Sequence, residues 1–491
     1  MKFSLVSLIN FDRVTRFLWA AVLLTLPVTS FRYFPGLGET TFVRPLAFYP
    51  LALLLPILLV QVLRGRLPSP WPGSTILLGA FVIALLATSM LGALHAPLEM
   101  RGQTYWGRVI RAWATVIVGI SFFIAAAWTN RHEGELKFSV RWLLAGFILN
   151  IAWSGVQVLA FYTPLLEKVT VTHWQLAFSM RELVKTDRVS GLAYEPAWLA
   201  GQIATLYLPW LFAAVLTKTH YTRFKWLELL LLGLGSLLLL TTFSRGGMVA
   251  AVGSVVLTFM LVGRDAQRSS WRWFISGFRR GERVVKRWLL AMGYRVSVAL
   301  LILLAVVGSF LFLGQKGYFA RFWDTQAESL SDFVIANSAG ARAAYTWAGL
   351  GVYGEHPWLG VGLGASGFYM YDNLPDWALT TVPEIARQLN PSNRLYPNPK
   401  NMYVRNLAEG GLLAFSFYLA FQLGLLGDAL SFLRKPGLLH LLGIAGLCSW
   451  MAISLYNFTQ DSFATPNIWV NLGILVGMTR LNSENASEER A

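Results

Sequence analysis

Apolar residues along this chain gather into blocks of about 17–22, each long enough to cross a bilayer core as a helix. The blocks fall at about 15–31, 45–63, 74–93, 109–128, 142–162, 197–216, 226–243, 247–263, 296–314, 405–427, 437–457 and 464–480. Leu51–Leu63, Val298–Phe312 and Leu438–Leu455 are apolar nearly all round, whereas a helix on a soluble protein shows only an apolar stripe. The pattern predicts an all-α polytopic membrane protein with about 12 transmembrane helices and one integral membrane domain over 1–491. Three gaps are much longer than the rest: about 163–196, 264–295 and 314–405.

Composition agrees with this reading and excludes soluble classes. Hydrophobic residues make up 55% and charged residues 13% of the chain, against about 25% charged in a soluble domain. The net charge of +16 suggests nucleic acid until its distribution is considered. Lys and Arg concentrate in alternate gaps, at Arg64 and Arg66, at Arg131, Lys137 and Arg141, at Lys218, Arg223 and Lys225, through 264–295, and at Arg434 and Lys435. That asymmetry places both termini in the cytoplasm and makes 163–196 and 314–405 outer loops. The 264–295 gap interleaves arginines with Trp271, Trp273, Phe274 and Phe278, and reads as an amphipathic helix on the anionic inner leaflet. No nucleic-acid partner is expected. Cys448 lies alone inside an apolar block, where it serves as a small hydrophobe.

Outer loops longer than about 15 residues are usually functional or disordered, and 314–405 is too aromatic for disorder. Four stretches on that side carry residues able to do chemistry. Arg188-Val-Ser-Gly191 leads into Tyr194-Glu195-Pro196 at the entrance of the sixth span, where ionisable groups are costly unless paired or in use. Ser244-Arg245-Gly246-Gly247 forms a tight hairpin that holds Arg245 at the membrane boundary. Its arginine offers a planar fork of donors suited to phosphate, or alternatively snorkels to the interface. The third stretch contains Arg342, Trp347 and the glycine-rich run His356-Pro-Trp-Leu-Gly-Val-Gly-Leu-Gly364. Within it Gly362-x-Gly364-x-x-Gly367 matches the dinucleotide fingerprint, but no βαβ unit surrounds it, so it reads as a loop-shaping turn. The fourth is Lys400-Asn401-Met-Tyr403-Val-Arg405-Asn-Leu-Ala-Glu409-Gly-Gly411, where Arg405 and Glu409 stand one helical turn apart and can pair. No His, Asp or Glu cluster has convincing metal-ligand spacing, so no metal or other cofactor is expected.

In this order, and with a long loop between the ninth and tenth spans, these motifs resemble the O-antigen ligase and O-antigen polymerase superfamily of bacterial surface-polysaccharide enzymes. The resemblance implies a GT-C-like glycosyltransferase in the bacterial inner membrane, with a large helical periplasmic loop and its active site at the periplasmic face. Members take glycan from an undecaprenyl-diphosphate carrier, by inversion and without a metal, and pass it to another carrier-linked repeat unit or to lipid A-core. A flippase and a chain-length regulator are the partners this implies for a polymerase.

A departing diphosphate needs positive charge, and Arg188, Arg245 and Arg342 are the candidates to supply it. Family members commonly carry His-Asn where this chain has Lys400-Asn401, so a histidine base is absent there. Glu195 becomes the better-placed candidate base, with Lys400 left to bind phosphate or glycan unless its pKa is depressed. Asn401, Tyr403, His356 and Glu409 are expected to meet the acceptor or to shape the loop. The departure favours a polymerase slightly over a ligase. A transporter is the rival of another class; it would place ionisable residues near the midplane on broken helices, often in repeated halves, a pattern not evident here.

Overall fold

The computed structural model of the chain describes residues 11–33, 43–65, 67, 73–97, 99–184, 187–276, 285–315, 339–390 and 396–488. It is an all-α protein. The helices are α1 (Phe11–Thr25), α2 (Phe48–Leu63), α3 (Gly73–Gly92), α4 (Tyr105–Thr129), α5 (Glu133–Tyr162), α6 (Lys168–Leu176), α7 (Pro196–Gln202), α8 (Leu208–Thr217), α9 (Leu227–Thr241) and α10 (Arg245–Val262). They continue as α11 (Arg264–Ser276), α12 (Val285–Gln315), α13 (Gly340–Glu355), α14 (Trp377–Thr381), α15 (Pro383–Gln388), α16 (Met402–Phe432), α17 (Gly437–Tyr456) and α18 (Val470–Glu488). Among the described residues the only sheet is one hairpin of two-residue strands, Glu99–Met100 with Gln103–Thr104.

A helix stands at each of the twelve expected spans, and among the described residues seven are long and apolar enough to cross a membrane: α3, α4, α5, α10, α16, α17 and the continuous Pro196–Thr217. Phe48–Leu63 and Leu227–Thr241 are apolar but shorter. Pro196–Thr217 is continuous because a π turn, Ile203–Tyr207, joins α7 to α8. The carbonyls of Thr205 and Leu206 on that turn accept from Nδ2 of Asn471, at 2.9 and 3.1 Å, so a buried amide satisfies the irregular backbone.

The chain divides into two compact units, Met1–Val255 with Arg342–Ala491, and Val256–Ala341. In the first, α3 packs along α16, α4 along α18, α8 along α17, and α1 against both α2 and α5. In the second, α11 has no buried residue, as an amphipathic surface helix requires, and Arg295 of α12 donates from Nε to the Trp273 carbonyl at 2.9 Å. Residues 277–284 of the expected basic segment, and 316–338 and 391–395 of the long loop, lie outside the described residues.

Candidate functional site

The four motif stretches meet at one end of the first unit, and the loop after α17, Asn457–Thr465, is where they join. The Ser-Arg-Gly-Gly hairpin is built first. Phe243 takes a left-handed φ of 46°, turning the chain between α9 and α10. Ser244 then caps α10, its hydroxyl accepting from Gly247 N at 3.3 Å, which sets Arg245 in the first turn. Gly246 lies against Thr459, where a Cβ would come within 2.8 Å of the threonine side chain.

Arg188 braces this hairpin. Its guanidinium donates from Nε to the Thr242 carbonyl at 2.9 Å and from Nη2 to the Phe243 carbonyl at 3.3 Å. Val189 N donates to Thr241 O at 3.2 Å, adding a backbone tie. The following Ser190-Gly191 is gripped by α5: Gln157 Oε1 accepts from both backbone amides, at 3.0 and 2.9 Å. Thus the Arg-x-Ser-Gly spacing places a guanidinium on one side of the loop and a bound backbone on the other. Glu195 caps the start of α7 without a side-chain cap bond, and its half-buried carboxylate has no hydrogen-bond partner among the described residues.

Arg342, exposed near the start of α13, donates from Nη1 to the Thr459 carbonyl. The Tyr456 ring packs against Gly201 of α7, and its hydroxyl lies within electrostatic reach of both Arg342 and Glu195. Lys400 has a φ of 59°, and its backbone N donates to Asp461 Oδ2 at 3.0 Å. Its half-buried ammonium is left without an ion pair among the described residues. Asn401 is the N-cap of α16, its Oδ1 accepting from Tyr403 N at 2.9 Å and Val404 N at 3.2 Å. Tyr403 donates its hydroxyl to Ser454 O at 2.9 Å. Both shape the site through the protein itself.

Glu409 is buried and pairs with Arg405 Nε at 2.9 Å, while its other oxygen accepts from the Ser366 hydroxyl at 2.9 Å. Arg405 also donates to the Asp461 carbonyl, tying α16 to the same loop. Two residues after Glu409, α16 breaks at Gly411, with φ 59° and ψ −168°. The glycine-rich run repairs the break: Val361 N and Gly362 N donate to Ala408 O and Glu409 O, at 3.0 and 2.9 Å. Leu412 N and Leu413 N donate in turn to Pro357 O and Trp358 O, at 2.8 and 3.2 Å. Four backbone groups at the break, the Ala408 and Glu409 carbonyls and the Leu412 and Leu413 amides, thus find partners. Gly360, with φ 63°, packs so closely that a Cβ would stand 2.6 Å from the Glu409 carbonyl carbon. The glycine run is therefore a backbone splint for α16.

His356 is placed elsewhere. It lines a cavity of about 340 Å³ with His95, Trp358 and Tyr369, and stacks edge-on to Tyr369 at 5.4 Å. None of its described contacts reaches the Asn457–Thr465 loop. Sequence reading missed Asp461 and Arg108. The Arg108 guanidinium lies 3.9 Å from the Tyr396 ring centroid and in the field of Glu409 and Arg405. Burial pushes the Tyr396 hydroxyl well above the usual tyrosine range, so the arginine faces a neutral ring. Asp461 had one signal, a polar run Asn457-Phe-Thr-Gln-Asp-Ser462 between two apolar spans. Arg108 had none beyond standing at the head of the fourth span.

This is a polytopic helical membrane protein with a cluster of arginines at one end of its first unit. Residues 230–419 match the family model described as O-antigen ligase, which supports the superfamily that the motifs resemble. The matched stretch includes the Ser-Arg-Gly-Gly hairpin, Arg342, the glycine splint and Lys400–Glu409; Arg188, Glu195 and Asp461 lie outside it. No curated protein matches the chain.

Proposed function

We propose that this protein is a metal-independent, inverting glycosyltransferase that joins glycan from an undecaprenyl-diphosphate carrier to another carrier-linked repeat unit. The observation that carries the reading is that Gly246 beside Arg245, the Arg342 guanidinium and the Lys400 backbone all contact Thr459 or Asp461, with Glu195 within electrostatic reach of the neighbouring Tyr456. In the reaction, a hydroxyl of the acceptor sugar attacks the anomeric carbon of the donor. The bond from that carbon to the diphosphate oxygen breaks and its electron pair leaves with the diphosphate. Arg245 and Arg342 receive the growing negative charge, the work a divalent cation does in other transferases. Arg188 positions rather than clamps, because two of its donors are already committed to the Thr242 and Phe243 carbonyls. Glu195 takes the hydroxyl proton, and its carboxylate has no hydrogen bond to give up first. Lys400 holds phosphate or glycan. A single displacement inverts the anomeric centre.

The site faces the periplasm and the chain lies in the bacterial inner membrane with cytoplasmic termini, an orientation supported by the Lys and Arg distribution. A flippase would deliver the repeat units and a chain-length regulator would set the product. The family description favours a second reading, a ligase that passes glycan to lipid A-core. The test is purified protein in nanodiscs with a polyprenyl-diphosphate-linked repeat unit, with and without lipid A-core and with chelator. A ladder of lengths untouched by chelator is expected. A single capped lipid A-core product establishes the ligase, and no transfer to either acceptor overturns the proposal.

A further inference from the structure

Within its membrane-spanning stretch α5 carries Asn150, Ser154 and Gln157 on one face, four and then three residues apart, and all three are buried. Polar side chains in a membrane helix are costly unless hydrogen-bonded. Two of these are spent on the backbone of the outer loop that leads into α7. Gln157 Oε1 accepts from Ser190 N and Gly191 N, at 3.0 and 2.9 Å, and its Nε2 donates to Gly191 O at 2.9 Å. Asn150 Oδ1 accepts from Leu192 N at 3.0 Å. Gly191, with φ 57°, makes room for them, since a Cβ there would stand 2.3 Å from Asn150 Oδ1.

The rest of the loop is equally committed. Val189 N donates to Thr241 O at 3.2 Å, Ala193 N to Ser190 O at 3.0 Å and Tyr194 N to Thr29 Oγ1 at 3.0 Å. Six successive amides, from Val189 to Tyr194, therefore each have an acceptor inside the protein, and three of these bonds end on α5. A connecting loop ordinarily leaves such groups to water. Gln157 is held in turn by α6, where Gln175 Oε1 accepts from Gln157 Nε2 at 3.3 Å and from Trp153 Nε1. Two residues of the candidate site stand at the ends of this segment. Arg188 braces the hairpin of Arg245 through the Thr242 and Phe243 carbonyls, and Glu195 opens α7. The six residues between them form a fixed spacer, gripped from a membrane-spanning helix.

We infer that Gln157, with Asn150 in a lesser part, is a positioning residue for glycan transfer: it fixes the spacer that sets Glu195 relative to the Arg245 hairpin. The inference rests on the proposed roles of Glu195 as base and Arg245 as diphosphate ligand. Gln157 is fully buried and acts only through the loop backbone.

The test uses full-length protein in nanodiscs with a polyprenyl-diphosphate-linked repeat unit. Gln157→Met keeps the length of the side chain and removes the acceptor of two amides. Asn150→Ala removes the acceptor of one, and keeps the test available if Gln157→Met does not insert. Hydrogen exchange of the 189–194 segment should quicken about fivefold or more in Gln157→Met and less in Asn150→Ala. Turnover should fall about 10–100-fold in Gln157→Met and about three- to tenfold in Asn150→Ala, with KM for the repeat unit within about twofold of wild type. In a Glu195→Gln background, adding Gln157→Met should lower the residual turnover by only about twofold or less, because the group being positioned is gone. A global loss of structure would instead lower turnover equally in both backgrounds. Unchanged exchange or unchanged turnover in both variants would overturn the inference. So would an undiminished Gln157→Met loss in a Glu195→Gln protein that is itself impaired, and that result leaves the base reading standing. Full turnover in Glu195→Gln alone would remove the base reading and this inference with it.

Discussion

The two ends of the first unit are built differently. At the end where α4, α7, α10 and α16 begin, the backbone is repeatedly irregular: Phe243 and Lys400 have positive φ, α16 breaks at Gly411, and Gly360, Gly362 and Gly364 also take positive φ. Each irregularity is matched by a partner from another element, as with the glycine run on α16 and Arg188 on the hairpin. At the other end, helices α1, α2, α4 and α5 meet around a cavity, and the buried Trp128 Nε1 and Arg131 Nε beside it have no hydrogen-bond partner among the described residues. The comparison teaches that strain and satisfaction go together at the candidate site. Arg188, Arg342 and Arg405 donate to backbone carbonyls of neighbouring segments, which fixes their guanidinium groups in a rigid frame.

The comparison can be broken most severely at the Arg405–Glu409 pair. Glu409→Gln leaves a buried guanidinium uncompensated and should cost about 3–5 kcal/mol, read as a lower unfolding temperature in detergent. If that temperature stays put, the frame does not depend on the pair. Next in size is Arg245→Ala, for which transfer should fall about 10²–10³-fold while membrane insertion and melting are unchanged. Gly360→Ala adds a Cβ against the α16 backbone at a left-handed φ; a loss of about 1–3 kcal/mol in stability is expected from thermal unfolding. The smallest effect belongs to the other end. Gln61→Ala removes a 3.1 Å bond to Thr15 and should shift stability by about 1 kcal/mol or less, with the transfer rate intact.

Much of the frame could be read from residue order alone, since blocks of about 17–22 apolar residues have few alternatives to membrane helices. The Asn401 cap also had a local signal, a short polar side chain just before an apolar run. Boundaries moved where polar residues continued a helix: α5 begins at Glu133, well before the apolar block near 142, with two acidic residues in its first turn. The π turn and the break at Gly411 had no comparable signature, because their partners, Asn471 and the 357–362 backbone, are distant in sequence. Arg188, Arg245, Lys400 and Glu195 were legible as charges near span entrances, and Arg342 as a charge within the long outer loop. Their meeting point was not, because Asn457, Thr459 and Asp461 contribute carbonyls that no side-chain pattern records.

In the proposed reaction Arg245 and Arg342 together receive a diphosphate. The most direct measurement compares binding of polyprenyl diphosphate and polyprenyl monophosphate to the protein in nanodiscs, for wild type, Arg245→Ala and Arg342→Ala. Wild type should prefer the diphosphate by about tenfold or more, and each substitution should abolish the preference. A wild type indifferent to the second phosphate, or a preference that survives both substitutions, would contradict it.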